Sequence, residues 1–412
     1  METLVVPQGE FELARFPVRK NDRLRAWDAA DEYLLQHVAD SRPHGDQPAE
    51  PAVLVVNGGP GALAVGLVAG GATDVRVMSD SYLDHVGTEE NLRRNGFDPA
   101  AVTLMGPFGL DAPEAPPVDL VLMKIPKSSA LLEDQLCRIS PHLSPGAVVV
   151  AAAMSKHIHT STLQLFERIL GPTTTSLARK KARLVECSPA ADREPATSPW
   201  PARIPTGGGG LVLVNHANVF SREKLDIGTR FLLDHLPAVE GPAHVVDLGC
   251  GNGVVGLAIA ATAPEAHVTF VDESFMAVAS AAATYAENLG EDRAATSARF
   301  AVGDTLFHLQ SGDPIERGSI DLVVNNPPFH DDHAVGDAIG AAPGLCVTTL
   351  DRREELPLER VQQVVQAGVR SAPRNVTVLI APGTYPDPCV EAGGTLESCT
   401  ATAAVRWSVT MP

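Results

Sequence analysis

The feature that most constrains this chain is an order of landmarks that occurs twice. Ala52 to Ala64 (AVLVVNGGPGALA) reads as an apolar strand that breaks into a glycine turn and then a helix-like run. Asp74 to Tyr82 follows as a second strand with a polar end, then Glu89 to Phe97, then the strand Val118 to Lys127, stopped by Pro126. The second half repeats the series with His244 to Ala260 (HVVDLGCGNGVVGLAIA), His267 to Phe275, Ala286 to Gly290 and Ile320 to His330. Glu-Asn-Leu and Asp-Leu-Val recur in matching places. Unbroken Val/Leu/Ile strands alternating with helices predict parallel sheets buried on both faces, so an α/β, doubly wound domain is expected twice.

A length of 412 residues suits two such cores. Cys187 to Gly210, rich in Pro, Ala and Gly, shows no helical or strand period. The expected organisation is a first domain over 1–187, a linker over 188–212 and a second domain over 213–412. No apolar run approaches the ~20 residues that cross a bilayer. Met1 to Glu12 holds three glutamates and no basic residue, unlike a signal peptide. Six scattered cysteines without a Cys-x-x-Cys pair read as free thiols of a reducing cytoplasm, with no metal site. No membrane partner is expected.

The two copies differ where chemistry belongs. Alignment on Asp-Leu-Val sets Lys124, Ile125, Pro126 and Lys127 opposite Asn326, Pro327, Pro328 and Phe329. Ser79 falls opposite Asp272, and Asn57 is aligned with Asp247. The first copy therefore reads as a degenerate scaffold and the second as the carrier of function.

Asp247, Gly249, Gly251 and Gly253 form the strand-to-helix turn of the second copy. Glycines there let a ligand approach the main chain, as in many nucleotide sites. Asp272, 23 residues beyond Gly249, ends the next strand where a carboxylate accepts ribose hydroxyls. Asp304 follows the third strand and is placed to accept from an adenine amine. Glycines and Asp272 alone suit NAD and S-adenosylmethionine equally. Asp247 adds a partner for an α-amino group, which NAD lacks.

The turn Asn326-Pro327-Pro328-Phe329 decides between them. Its Asn326 carboxamide and Pro327 carbonyl can accept two hydrogen bonds from an NH2 group, while prolines remove competing donors and fix the backbone. Phe329 can stack on a planar base or amide. Acceptors so placed stabilise positive charge that develops on an attacking nitrogen, and no general base is needed. A nicotinamide oxidoreductase has no use for this turn.

Together, Asp247 to Gly253 and Asn326 to Phe329 resemble the class I methyltransferases that modify exocyclic or amide nitrogens. Asn218 to Arg222 and Leu225 to Thr229 are similar to the segment before the cofactor strand in the ribosomal RNA guanine-N2 methyltransferases of the RlmG and RsmC type. His157 to Thr162, Gly171 to Thr175 and Ala182 to Leu184 resemble the large-subunit branch, RlmG. The resemblance spans about residues 1–335. It implies two tandem Rossmann-like methyltransferase domains, the first degenerate, and N2-methylation of a guanosine in 23S ribosomal RNA, protein-poor as substrate. It implies that Asn326, Pro327 and Phe329 hold the guanine and that Asp247, Gly249, Gly251, Gly253, Asp272 and Asp304 hold S-adenosylmethionine. Methylation of 16S RNA or of a protein glutamine amide, and a non-catalytic RNA-binding assembly factor, are the alternatives.

After about Ala338 the family pattern stops, through divergence or a change of reading frame. Asn375 to Ile380 and Ala403 to Met411 remain as strands able to complete the sheet. The net charge of −18 is unequally shared: residues 1–212 carry 20 basic against 25 acidic side chains, residues 213–412 carry 12 against 25. RNA contacts are therefore expected in the first half, at Arg179, Lys180, Lys181 and Arg183, with a second cluster at Arg15, Arg19, Lys20, Arg23 and Arg25.

Overall fold

The computed structural model describes residues 2–17, 24–41, 50–112, 115–190, 194–206, 210–222, 224–225, 227–304, 309–310, 315 and 319–326, with the backbone of 345–350, 375–380 and 405–410. The chain forms two compact units, Met1–Trp200 and Pro201–Pro412.

The first unit begins with the hairpin β1 (Glu2–Val6) and β2 (Gly9–Leu13), then α1 (Ala29–Asp40). There follow β3 (Val53–Val56), α2 (Ala62–Ala69), β4 (Val75–Met78), α3 (Tyr82–Arg94), β5 (Val102–Met105), β6 (Val118–Lys124), α4 (Ser129–Ile139), β7 (Leu143–Met154), α5 (Thr160–Ile169), β8 (Thr173–Thr175) and β9 (Ala182–Cys187). Seven strands pair in the order β5-β4-β3-β6-β7-β9-β8, parallel from β5 to β7 and antiparallel at β9. All four residues of β3 are buried because alternate side chains serve opposite layers. Val53 and Val55 pack with Leu34, Leu35 and Leu63 of α1 and α2. Leu54 and Val56 pack with Leu132, Leu136 and Phe166 of α4 and α5. Each such side chain contributes about 1.5–3 kcal/mol by leaving water.

The second unit repeats the plan. It comprises the hairpin β10 (Ala202–Pro205) and β11 (Val212–Asn215), α6 (Ile227–Asp234), β12 (His244–Leu248), α7 (Val254–Thr262), β13 (His267–Asp272), α8 (Phe275–Leu289), α9 (Glu291–Ser297), β14 (Ala298–Val302) and β15 (Leu322–Asn325). Three further strands, β16 (Leu345–Leu350), β17 (Asn375–Ile380) and β18 (Val405–Thr410), give the order β14-β13-β12-β15-β16-β17-β18. Both late strands expected to complete the sheet do so. In the first unit, however, the antiparallel strand lies next to β7, whereas here parallel β17 lies next to β16 and antiparallel β18 takes the edge. Within the stretch read as a connection, Ala202–Pro205 is a strand. Four residues ending in proline are too short to show a period.

The recurring Glu-Asn-Leu has a structural role. Asn91 of α3 accepts from the Ala14 N–H (3.0 Å) and donates to its carbonyl (2.8 Å). Asn288 of α8 does the same to Val212, at 2.9 and 2.8 Å. One amide in each unit thus secures the chain at an N-terminal hairpin without adding a buried orphan.

The strand registers also fix which turn residues correspond. Val56 pairs with Met78 and Met123, and Leu248 with Val271 and Asn325. Asn57, Gly59 and Gly61 therefore match Gly249, Gly251 and Gly253. All six have positive φ: 55°, 59° and 96° against 66°, 54° and 76°. This corrects the alignment of Asn57 with Asp247; Asn57 replaces Gly249, and Val55 replaces Asp247. Ser79 against Asp272 and Lys124 against Asn326 stand as aligned.

A Cβ on Gly253 would lie 2.8 Å from the Ala281 Cβ of α8 and 2.9 Å from its Cα, whereas one on Gly251 meets nothing within 4 Å. Gly253→Ala is expected to cost about 1–3 kcal/mol for overpacking beyond the ~1–2 kcal/mol of a left-handed alanine. Gly251→Ala should cost only the latter. Denaturant unfolding of both variants checks the order, and equal losses would refute the close-packing role of Gly253.

Candidate active site

The first strand of the second unit leaves the sheet through a tightly tied turn. Gly249 and Cys250 donate to the Val271 carbonyl at 2.8 and 3.1 Å. Gly251 N–H donates to Asp272 Oδ2, and Ser274 N–H to Asp272 Oδ1, both at 3.0 Å. The Asp272 carboxylate is thereby fixed between the turn and the start of α8. Burial raises its pKa against these backbone donors. Asp247 is 2 % exposed, and its Oδ2 accepts from Gly256 N–H at 2.8 Å. The side chain read as an amino-group partner is thus also the anchor of α7. Burial drives its pKa up to about 7; the Gly256 N–H opposes this and the Asp272 charge adds to it. The intervening Cys250 is buried, which holds its thiol in the unreactive protonated form.

Asp304 lies just beyond β14, where Gly303 N–H donates to the Asp272 carbonyl at 3.0 Å. Asn326 directly follows β15. Asp247, Asp272, Asp304 and Asn326 thus gather at the carboxyl ends of four adjacent parallel strands, the ligand-binding edge of an open α/β sheet. Pro327 and Phe329 lie outside the described residues.

Asn326 brings in a residue that the sequence reading left without a role. Its Nδ2 donates to Thr229 Oγ1 of α6 at 2.8 Å, and Thr229 is only 9 % exposed. A signal for it was present. Asp28 to Val38 (DAADEYLLQHV) and Asp226 to Leu236 (DIGTRFLLDHL) are one more repeat, with Asp31 matching Thr229. In the first unit Asp31 of α1 faces Lys124, at 2.6 Å from Nζ, with Asp28 at 3.2 Å. The same two positions therefore touch in both units, as amide and hydroxyl in one and as an ion pair in the other.

The first unit fills its own version of the site. Asn57 Nδ2 donates to the Lys124 carbonyl (3.1 Å) and to Gln135 Oε1 (2.9 Å), and Gln135 Nε2 donates back at 2.8 Å. Ser79, in place of Asp272, donates to Asp84 at 2.9 Å. Asp31 has a side chain 1 % exposed. Removing its cation would leave a buried charge, at a cost of about 3–5 kcal/mol.

The donor set of the second unit fits S-adenosylmethionine. It offers three carboxyl groups, Asp247, Asp272 and Asp304, at one sheet edge, acceptors of the kind that the ammonium, ribose diol and adenine amine of that cofactor call for, and open space at Gly251. A pyrophosphate would meet competition from two side chains of the turn. It needs the orphan N–H groups of the helix start, but Asn252 takes Val254 N–H (3.3 Å) and Asp247 takes that of Gly256.

Arg179, Lys180 and Lys181 are exposed at a two-residue turn leading into β9, where Arg179 and Ala182 exchange two 2.8 Å bonds. Lys180 and Lys181 have φ of 48° and 69°. The Arg179 guanidinium lies 5.5 Å over the Tyr33 ring, and Lys180 pairs with Glu32. Arg183 is half-buried in β9, away from the tip. Arg19, Lys20 and Arg23 fall outside the described residues, and Arg25 pairs with Glu2 at 2.5 Å. Cys137 and Cys187 are buried free thiols, and no metal-binding cluster occurs among the described residues.

Asp247 gives a pH dependence with a defined sign. A carboxyl whose folded pKa is raised binds its proton more tightly when folded, so its stabilisation is complete below about pH 4 and is lost as pH rises through about 7. Thermal melts of the unliganded chain should show this decline, flat above pH 7 as far as this group contributes, and Asp247→Asn should reduce the slope. An unchanged slope in the variant would contradict the assignment.

Comparison with known proteins agrees with the geometry. Residues 1–191 match the RLMG N-terminal domain, and residues 210–342 match the methyltransferase small domain. The ribosomal RNA large subunit methyltransferase G of Streptomyces avermitilis is 50 % identical over 344 residues, 82 % of this chain and 84 % of that protein. That of Pseudomonas fluorescens Pf0-1 is 47 % identical over 344 residues, 82 % and 85 %. Among solved structures, the T. thermophilus 16S rRNA N2 methyltransferase RsmC, in complex with AdoMet and guanosine, shares the fold with a TM-score of 0.60. It is 18 % identical, and the match covers 92 % of this chain and 89 % of that one. The second unit is a class I S-adenosylmethionine-dependent methyltransferase domain, and the chain belongs to the ribosomal RNA large subunit methyltransferase G family.

Proposed function

We propose that this chain methylates the exocyclic N2 of one guanosine in 23S ribosomal RNA, with protein-poor RNA as substrate in the cytoplasm. No described helix is long and apolar enough to cross a membrane. The observation that carries the reading is Asn326 at the carboxyl edge of β15, with its amide nitrogen engaged by Thr229. With the nitrogen so engaged, Oδ1 is the acceptor assigned to the substrate amine.

Asp247 would bind the amino group of S-adenosylmethionine, Asp272 its ribose and Asp304 its adenine, with Gly249, Gly251 and Gly253 shaping the backbone beneath. The cofactor supplies an electrophilic methyl group on a sulfonium. The chain's own residues orient the nucleophile. Asn326 Oδ1 and the Pro327 carbonyl accept the two N–H bonds of the guanine amine and aim its lone pair, and Phe329 stacks the base. Positive charge that builds on nitrogen meets two fixed dipoles, which lower the barrier without a strong base, and the methylated nitrogen then gives up its surplus proton to water. The target base must leave its stack to reach the turn. In the first unit Lys124 occupies the position of Asn326. A cation there opposes the developing charge, so methyl transfer is assigned to the second unit alone.

RNA affinity is assigned to the basic run Arg179, Lys180 and Lys181, with Arg183 supporting it from β9. Holding two lysines in left-handed backbone costs about 1–2 kcal/mol each, which supports a functional reason for the turn.

Labelled methyl transfer to unmodified 23S and 16S RNA tests the reaction. Label in 23S guanosine N2, reduced at least about a hundredfold in Asn326→Ala, is expected. Label in 16S RNA would move the substrate to the small subunit, and cofactor binding without label would favour a non-catalytic RNA-binding role. Reversing Arg179, Lys180 and Lys181 to Glu should weaken RNA binding at least about tenfold and reduce the slope of log affinity on log salt by about 2. Unchanged affinity in a filter-binding titration would exclude this run from the interface.

A further inference from the structure

We infer that Thr229 is a positioning residue of the methyl-transfer step: its hydroxyl holds the Asn326 amide in the plane from which Oδ1 meets the substrate. The inference rests on the proposed role of Asn326.

A carboxamide has two ends of opposite function. Nδ2 is a donor and Oδ1 an acceptor, and a half-turn about the last side-chain torsion exchanges them. Only the acceptor end is useful toward an amine that already carries two N–H bonds. A reversed amide would set N–H against N–H and oppose the charge that develops. The torsion is broad and near two-fold, so the amide needs a partner that holds its plane; a hydroxyl can donate or accept, so it holds the plane while the substrate's own N–H bonds favour the acceptor end. Thr229 Oγ1 lies 2.8 Å from Nδ2 and is buried at 9 % exposure, in a place where few waters compete for the bond. Branching at Cβ limits the χ1 rotamers of threonine and so the directions in which its hydroxyl can point.

The first unit supplies the comparison. There the same pair of positions, on α1 and at the end of β6, holds Asp31 and Lys124 in a 2.6 Å contact. The helix-to-strand-end contact is thus a property of the scaffold, while its chemistry differs between the units. A scaffold role alone is met by an ion pair. Where the strand-end residue is Asn326, the helix offers a small hydroxyl that binds the nitrogen and leaves the charge balance of the site unchanged.

The test uses the full chain and kinetics on 23S RNA. Thr229→Val keeps the shape and removes the hydroxyl, and Thr229→Ser keeps the hydroxyl. Thr229→Val is expected to lower kcat about ten- to hundredfold, with KM for RNA and Kd for S-adenosylmethionine unchanged. Thr229→Ser should return kcat to within about threefold of the parent, and Thr229→Val should add no loss to Asn326→Ala. A general structural role would move KM, Kd and melting temperature together and would not be rescued by serine. Wild-type kcat in Thr229→Val, beside an inactive Asn326→Ala, overturns the inference and leaves the role of Asn326 standing. An active Asn326→Ala overturns both. Should Thr229→Val unfold at the assay temperature, Thr229→Ala replaces it, and a kcat equal to that of Thr229→Ser overturns the inference.

Discussion

The second unit depends on how the chain leaves β12. Three residues within five, Gly249, Gly251 and Gly253, take left-handed backbone, and the turn is tied to the next strand through the Val271 carbonyl and the Asp272 carboxylate. That single constraint sets the depth of α7 against α8 at Gly253 and the height of Asp272 at the end of β13. It also sets the bare backbone that a cofactor can approach. The parallel register then carries the same height across to Asn326. A side chain at Gly253 would press into α8, whereas one at Gly249 would meet only the Asn325 side chain at 3.7 Å, so the glycines serve separate ends.

The first unit separates scaffold from chemistry within one molecule. Asn57 adopts the left-handed conformation at the position of Gly249, as asparagine tolerates better than most residues. Its side chain then closes the edge through Gln135 and the Lys124 carbonyl. The ion pair of Lys124 with buried Asp31 locks the strand end to α1. Removing either partner would leave the other uncompensated, so a single change that begins to reopen the filled site costs stability. Degeneracy here is a packed state with its own hydrogen bonds, and the unit retains its full sheet and core.

Much of this was legible in the sequence because strands buried on both faces announce themselves as apolar runs, and because duplicated landmarks calibrate one another. Asp272, Asp304 and Asn326 fall at strand ends that the runs already locate. The Asn57 assignment failed for a physical reason. It matched residues by polarity, whereas the turn is specified by φ, and an asparagine can stand for a glycine more readily than for a buried aspartate. Thr229 escaped because its counterpart, Asp31, is charged, so the repeat is visible in Leu34-Leu35 and His37 rather than in the functional position. The strand order at β17 and β18 was not legible either. Two short apolar strands state that a sheet continues but not which of them takes its edge.

The charge distribution ties these observations to function. A sulfonium cofactor with an ammonium group calls for carboxylates, and the second unit places Asp247, Asp272 and Asp304 along one edge. Residues 213–412 carry 25 acidic side chains against 12 basic. A polyanion calls for the reverse. Basic residues dense enough to hold RNA beside that edge would pair with the carboxylates and compete for the cofactor's own contacts. Within the proposed function the duplication relieves this conflict. A copy freed from binding the cofactor can present Arg179, Lys180 and Lys181 on a rigid turn, and the other can keep the acidic edge that methyl transfer requires. Under the same proposal the acceptor at Asn326 needs little further electrostatic help, because a dipole held by Thr229 would stabilise a developing cation without adding a charge for the phosphate backbone to oppose.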